Sequence, residues 1–323
     1  FSVFPSAKVS DVVVEPYNTT LSMSMLLQDC DQVNVIDNEA LYDISTNILK
    51  QPTPKFLELN WVISLVMSGV TASLRFPGQL NGDLRKMGVN LVPFPRLHFF
   101  TVAAAPLFSM DAKKTDSQFT NMGVREVLDQ LWSGKNFLSK INIADGRYLS
   151  TSCVYRGENL RTFEVEDEQR QFQDKLMEDF VTWIPNNIMT SVVNVPCVHS
   201  NIDGSFIANF TGINAVFRRI SKQFKKMFKK KAFLHWYIGV GMDEFEITEA
   251  NKNVLDLIQE LQDKNDVIVD EDNPYGVIGG GGADDNEAVI GDSSDEEQKE
   301  SDDGIIKDDD GHSSSGIIQD DDD

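Results

Sequence analysis

Arg75-Phe-Pro-Gly-Gln-Leu-Asn-Gly-Asp-Leu-Arg-Lys86, with Val92-Pro-Phe-Pro-Arg-Leu-His-Phe-Phe100 close behind, is the stretch whose reading decides the fold. Gly78 permits a tight turn, Asn81 can cap, and Asp83-Leu-Arg-Lys86 opens a helix. Polar side chains are thereby set at an exposed loop–helix junction, and Leu97 to Ala105 reads as a core strand. Upstream, Leu59, Trp61, Val62, Ile63, Leu65, Val66, Met67 and Val70 fall on all sides of a helix, which predicts a buried helix over about Phe56 to Leu74. Its serines, threonine, glycine and asparagine leave it too short and too polar to span a membrane.

Length and charge frame this stretch. The chain has 323 residues and a net charge of −22, enough for two or three packed domains. From Asp270 to Asp323 there are 20 acidic and 2 basic residues, a net of −18 that leaves −4 for the rest. The body is near neutral and the acidity belongs to a tail. Cys30, Cys153 and Cys197 are scattered, with no C-x-x-C spacing, which argues for a reducing compartment and against a disulfide framework or zinc site. The first residue is Phe1, and the expectation is that the chain is a fragment.

Periodicity predicts a strand at Phe1 to Phe4 and helices over Val14 to Leu27 and Asn38 to Leu49. Further helices are expected at Val124 to Trp132, Val165 to Met177, Ile213 to Phe228 and Thr248 to Gln262. Strands are expected at Tyr148 to Tyr155, Ser191 to Val195 and Ser205 to Phe210, and an irregular loop at 108–123. Interleaved strands and helices imply an α/β or α+β body. After Asp263, Gly279 to Gly282 and the near-repeat Gly304-Ile-Ile-Lys-Asp-Asp-Asp and Gly316-Ile-Ile-Gln-Asp-Asp-Asp predict a disordered acidic tail.

No catalytic triad, metal cluster or phosphate-cradling loop can be read from these residues, and His98 fits a satisfied core histidine. The main charge feature is basic: Arg218, Arg219, Lys222, Lys225, Lys226 and Lys229 to Lys231, interleaved with Phe217, Ile220, Phe224 and Phe228 at helical spacing. Such a helix can bind nucleic acid, an anionic membrane or calmodulin-like partners. A packed helix with a solvated basic face is the plainer reading, with neither nucleic acid nor membrane as partner.

The residues that carry a resemblance are now in view. The opening stretch, Val14-Glu-Pro-Tyr-Asn18, Ile36-Asp-Asn-Glu-Ala-Leu-Tyr-Asp-Ile44, Met67-Ser-Gly-Val-Thr71, Trp183-Ile-Pro-Asn-Asn187 and Phe217 to Tyr237 occur in an order that resembles the tubulin family over about residues 1–262. Lys86 resembles the β side of that family, whose α members carry an acid there.

The resemblance implies an α/β, tubulin-like fold: a remnant of a parallel-sheet GTP-binding domain at 1–37, then a core helix with an intermediate α/β domain of mixed sheet at 38–212. Carboxy-terminal helices would occupy 213–263 and the tail 264–323. It implies GTP as cofactor, with Mg2+ in the complete protein. In the family's own-nucleotide pocket, Asp11 and Glu15 match the loop near the sugar, Asn38 and Asn60 the amides that read guanine, and Phe56 a ring stacking on the base. Asn81 and Lys86 match the contact to the partner subunit's GTP. The family's glycine-rich phosphate loop has no counterpart here, so weak GTP binding or none, and an exposed sheet edge, are expected.

The implied function is that of a structural microtubule subunit pairing with α-tubulin, contacting other tubulins laterally, and docking motors and associated proteins on the 213–262 helices and acidic tail. Its place would be the cytoplasmic cytoskeleton, with cilia or flagella as candidates. Trp61, Gln51, Ala104 and Phe108 replace the family's usual residues around the taxane pocket, and the lateral loop between Leu107 and Phe119 is longer, implying taxane insensitivity. The rival readings are a specialised subunit restricted to particular microtubules and a non-polymerising basic-helix binding module. An autonomous GTPase is the weakest reading.

Overall fold

The computed structural model describes residues 1–6, 10, 12–76, 83–110, 122–158, 160–270 and 273–278. Residues Phe1–Gly280 form one compact unit. Its spine is a six-stranded mixed sheet in the order β1 (Ser2–Phe4), β2 (Val33–Asp37), β3 (Phe99–Ala105), β6 (Ile202–Phe210), β4 (Tyr148–Gly157), β5 (Ile188–Val193). The first three strands are parallel, β6 runs antiparallel to β3 and β4, and β5 is parallel to β4.

β3 joins the two halves. All seven of its residues are buried, as expected for a strand covered on both faces. Its side chains alternate with period two. Phe100, Val102 and Ala104 face a core that includes Leu59, Val62 and Val66 of α3 (Phe56–Val70) and Met87 and Leu91 of the helix Leu84–Leu91. On the other face, Phe99 packs with helices Glu15–Asp29 (α1), Asn214–Phe228 and Glu244–Asp266. Ala103 and Ala105 meet the helix Val124–Leu131. Among the described residues the α-helices are, in chain order, α1, α2 (Asn38–Asp43), α3, α4 (Ala72–Arg75), α5 (Leu84–Leu91), α6 (Val124–Leu131), α7 (Thr162–Lys175), α8 (Asn214–Phe228), α9 (Leu234–Gly239) and α10 (Glu244–Asp266). No helix among the described residues is long and apolar enough to cross a membrane.

Four expectations are corrected. The Phe56–Val70 helix is not buried all round: Leu59, Val62, Val66, Gly69 and Val70 form the inward stripe, while Phe56, Leu57 and Met67 are exposed, because the sheet covers only one side. The second helix turns π-helical at Ile44–Ile48. The long carboxy-terminal helix continues to Asp266, and Ile268–Asp270 pairs antiparallel with Asn273–Ile278 inside the stretch expected to be disordered. There the β-branched residues Ile268, Val269, Val277 and Ile278 favour a strand pair. Last, α5 is capped by Asp83, whose side chain accepts from the Arg85 N–H at 3.1 Å. The tail after Ile278, most of the long loop, Gly78 and Asn81 lie outside the described residues.

Candidate functional site

Three features place the own-nucleotide residues. The parallel strands β1, β2 and β3 send their carboxyl ends to one side, and in open α/β sheets ligands bind beyond those ends. Asn38 follows the last residue of β2 directly and is half-buried. Leu41 of α2 shares a core with Leu59 and Val62, which sets the first turn of α2 alongside the start of α3. There Phe56 is the first helical residue, 74% exposed, and Asn60 lies exposed one turn on. Glu15 opens α1 beside Pro16, half-buried, lining a shallow cleft with Ser2, Phe4 and Met23. Asp11 is outside the described residues.

A buried charge network fixes this end, and sequence reading missed it. Asp37 is fully buried; its Oδ1 caps α2 by accepting from the Glu39 N–H at 3.1 Å, and its Oδ2 pairs with the Arg219 guanidinium at 2.6 Å. Glu39 Oε2 lies 3.5 Å from the same guanidinium and accepts from the Ser6 hydroxyl at 3.2 Å. Two carboxylates flank Asn38, and one arginine from α8 neutralises both. Arg219 therefore does not belong to the solvated basic face. The signal in the sequence was Asp37-Asn-Glu39 itself, a pair of acids at a strand end that demands a cation once buried.

Lys86 sits elsewhere. It is an exposed residue in the first turn of α5. The Gln32 amide donates to the Leu84 carbonyl at 3.0 Å, which ties the start of α5 to the residue just before β2. Asn38 follows the other end of that five-residue strand, about 17 Å away at the usual rise. α3 makes the same crossing, its 15 residues spanning about 22 Å. The candidate residues thus fall into two groups at opposite ends of the sheet. Glu15, Asn38, Phe56 and Asn60 stand past the carboxyl ends, and Lys86 by the amino ends.

The chemistry of each end differs. An exposed ring with two amides can stack on a base and read its hydrogen-bonding edge. An exposed ammonium can neutralise phosphate but cannot take up a proton while charged. His98 is the core histidine expected, its ring nitrogens 2.8 and 3.1 Å from the Pro95 and Leu26 carbonyl oxygens. Trp61 donates through its indole N–H to the Phe108 carbonyl at 3.1 Å, and both rings pack against His199.

Parallel strands with candidate ligands past their carboxyl ends define an α/β nucleotide-binding architecture. Residues 1–46 match the family model for the Tubulin/FtsZ family GTPase domain, and residues 95–222 match that for the tubulin C-terminal domain. The chain belongs to the tubulin family. It is 50% identical over 275 residues to a tubulin beta chain of Cicer arietinum and equally to a tubulin beta-6 chain of Gossypium hirsutum, in each case over 85% of this chain and 60% of the relative. The chain therefore spans about three fifths of the length of these curated relatives.

Proposed function

We propose that this chain acts as a β-type structural subunit of microtubules, pairing with α-tubulin and binding GTP in the whole protein. The observation that carries the reading is the division of the candidate residues between opposite ends of the sheet. A subunit that meets its own nucleotide at one end and a neighbour's at the other makes heterologous, head-to-tail contacts, and such contacts generate filaments.

At the carboxyl-end surface, Phe56 offers its face to a guanine base, Asn38 and Asn60 offer amides to its edge, and Glu15 lies toward the sugar, the role that the family match gives to Asp11 as well. The exposure of Phe56 and Asn60 leaves both groups available for that contact. Mg2+ belongs with the phosphates in the whole protein. Lys86, at the amino-end surface, grips the partner's nucleotide together with Asn81, which is assigned to that contact by its match to the family. Lys86 stabilises phosphate charge there without activating water, so turnover of this subunit's own GTP depends on an acid supplied by its partner. Lateral contacts reach other tubulins, and motors and associated proteins dock on the outer helices and acidic tail, within the cytoplasmic cytoskeleton.

Expression of the whole tagged protein in cells, followed by pelleting of microtubules, tests this. The expected result is incorporation together with α-tubulin. A tagged protein that stays in the supernatant while α-tubulin pellets overturns it. The second reading, a subunit restricted to particular microtubules, is favoured by the Trp61–Phe108–His199 cluster, which ties α3 to the start of the unusually long lateral loop. Labelling of only a subset of microtubules would select it.

A further inference from the structure

Arg219 belongs to α8, 182 positions along the chain from Asp37, yet its guanidinium ends at the turn that carries Asn38. Its fork is used on both sides of that residue. One nitrogen lies 2.6 Å from Asp37 Oδ2 and the other 3.5 Å from Glu39 Oε2. Asp37, fully buried, turns its second oxygen to the Glu39 N–H that opens α2. Asn38 thus stands between two clamped neighbours, while its own half-buried amide makes no hydrogen bond among the described residues. Further ties converge on the same short segment. The Asp37 N–H donates to the Leu138 carbonyl at 2.7 Å, and the Ser139 hydroxyl donates to the Val35 carbonyl at 3.1 Å. Lys140 pairs with Asp43 at the far end of α2, and Leu41 and Ile44 are packed in the core.

Stability alone does not call for this arrangement. A neutral Asn or Ser in place of Asp37 would cap α2 as well, and a buried ion pair stabilises little more than apolar side chains of its volume. What such a pair does supply is register, and a group that reads a base edge needs placement to within about 0.5 Å. We propose that Arg219 is a positioning residue for base recognition, holding the Asn38 amide, through Asp37, where it meets the donor edge of guanine. The inference rests on the proposed nucleotide reading and adds to it a residue that touches no nucleotide. The guanine edge presents an N1–H and a 2-amino group, and the Asn38 side-chain oxygen accepts from them. Hypoxanthine lacks only the 2-amino group. A displaced amide therefore costs GTP more than inosine triphosphate, whereas a loss of folded protein lowers the binding of both alike.

The test uses the whole protein purified together with α-tubulin, with GTP and inosine triphosphate each competing against a fluorescent guanine nucleotide. The partner is the same throughout, so differences between variants belong to this subunit. Arg219→Lys keeps the charge and loses the fork. In it the preference for GTP over inosine triphosphate should shrink about three- to tenfold, the worth of one hydrogen bond. The pair Asp37→Asn with Arg219→Gln keeps the cap, removes both charges and should shrink the preference as well, with circular dichroism confirming that it folds. Asn38→Ala should lose the same preference, and adding Arg219→Lys to it should change the ratio no further, because the two residues act as one unit. A ratio unchanged in both Arg219 variants would overturn the inference and leave the nucleotide reading standing. So would an effect of Arg219→Lys that is equally large when Asn38 is already alanine. Failure of the unaltered pair to bind any guanine nucleotide would overturn the nucleotide reading and the inference with it.

Discussion

Arg219 shows how much a single residue settles. It is the shared cation for Asp37 and Glu39, which sit at the turn from β2 into α2 that presents Asn38. Removing it takes the guanidinium from the fully buried Asp37 and one partner from Glu39. Arg219→Ala should cost about 2–4 kcal/mol, somewhat below the fully buried case because the arginine is a quarter exposed; the midpoint of urea unfolding measures it. Asp203 makes a second residue-scale prediction. Burial pushes its carboxyl up to about 6, outweighing the Arg156 guanidinium at 3.9 Å and the Cys197 N–H, both of which pull it down. Between pH 4 and 6 the folded state holds a proton that the unfolded chain has lost, so stability falls as pH rises through that window and is level above it. The loss is at most about 3 kcal/mol, from a shift of about two units. Unfolding midpoints at pH 5 and pH 7 should differ, and Asp203→Asn should remove the difference. Neither residue's role was legible beforehand, because each depends on a partner far along the chain. Asp37 and Arg219 are 182 positions apart, and no local pattern links them.

At the scale of elements, local patterns read well where one face is buried. β3 and β6, with their runs of Phe, Val, Ile and Ala, were legible within a few residues, and α8 was legible from its 3.6-residue stripe. α3 was misread because its composition is apolar throughout, which does not say how many sides a neighbour covers. Its exposed start carries Phe56 and Asn60, which the proposed function sets against the base. Phe56→Ala should leave stability almost unchanged, since the ring is mostly exposed, yet weaken GTP binding by the whole protein by about 1–3 kcal/mol through lost stacking; calorimetric titration separates the two effects. One turn along, Trp61 with Phe108 and His199 fills space between α3, the end of β3 and the segment before β6. Polymer containing this subunit should not respond to taxane at doses that promote assembly of ordinary microtubules. Light scattering would show it, and taxane-promoted assembly would refute it.

For the whole molecule, the α/β class and the order of its elements could be read from the sequence, and the tubulin resemblance supplied the candidate residues. The continuity of the sheet could not be read, since it depends on β3 pairing with β2 on one side and β6 on the other. Nor could the opposite placement of Asn38 and Lys86, which follows from the Gln32–Leu84 contact and the length of β2. That placement is the central claim, because the proposed head-to-tail contacts rest on it. It is tested most directly by cryo-electron microscopy of polymer assembled from the whole protein and α-tubulin with GTP. The account predicts one nucleotide against Phe56, Asn38 and Asn60 and a second, held by the neighbouring subunit, against Lys86. A map in which Lys86 faces solvent, or in which both groups of residues touch the same nucleotide, would contradict it.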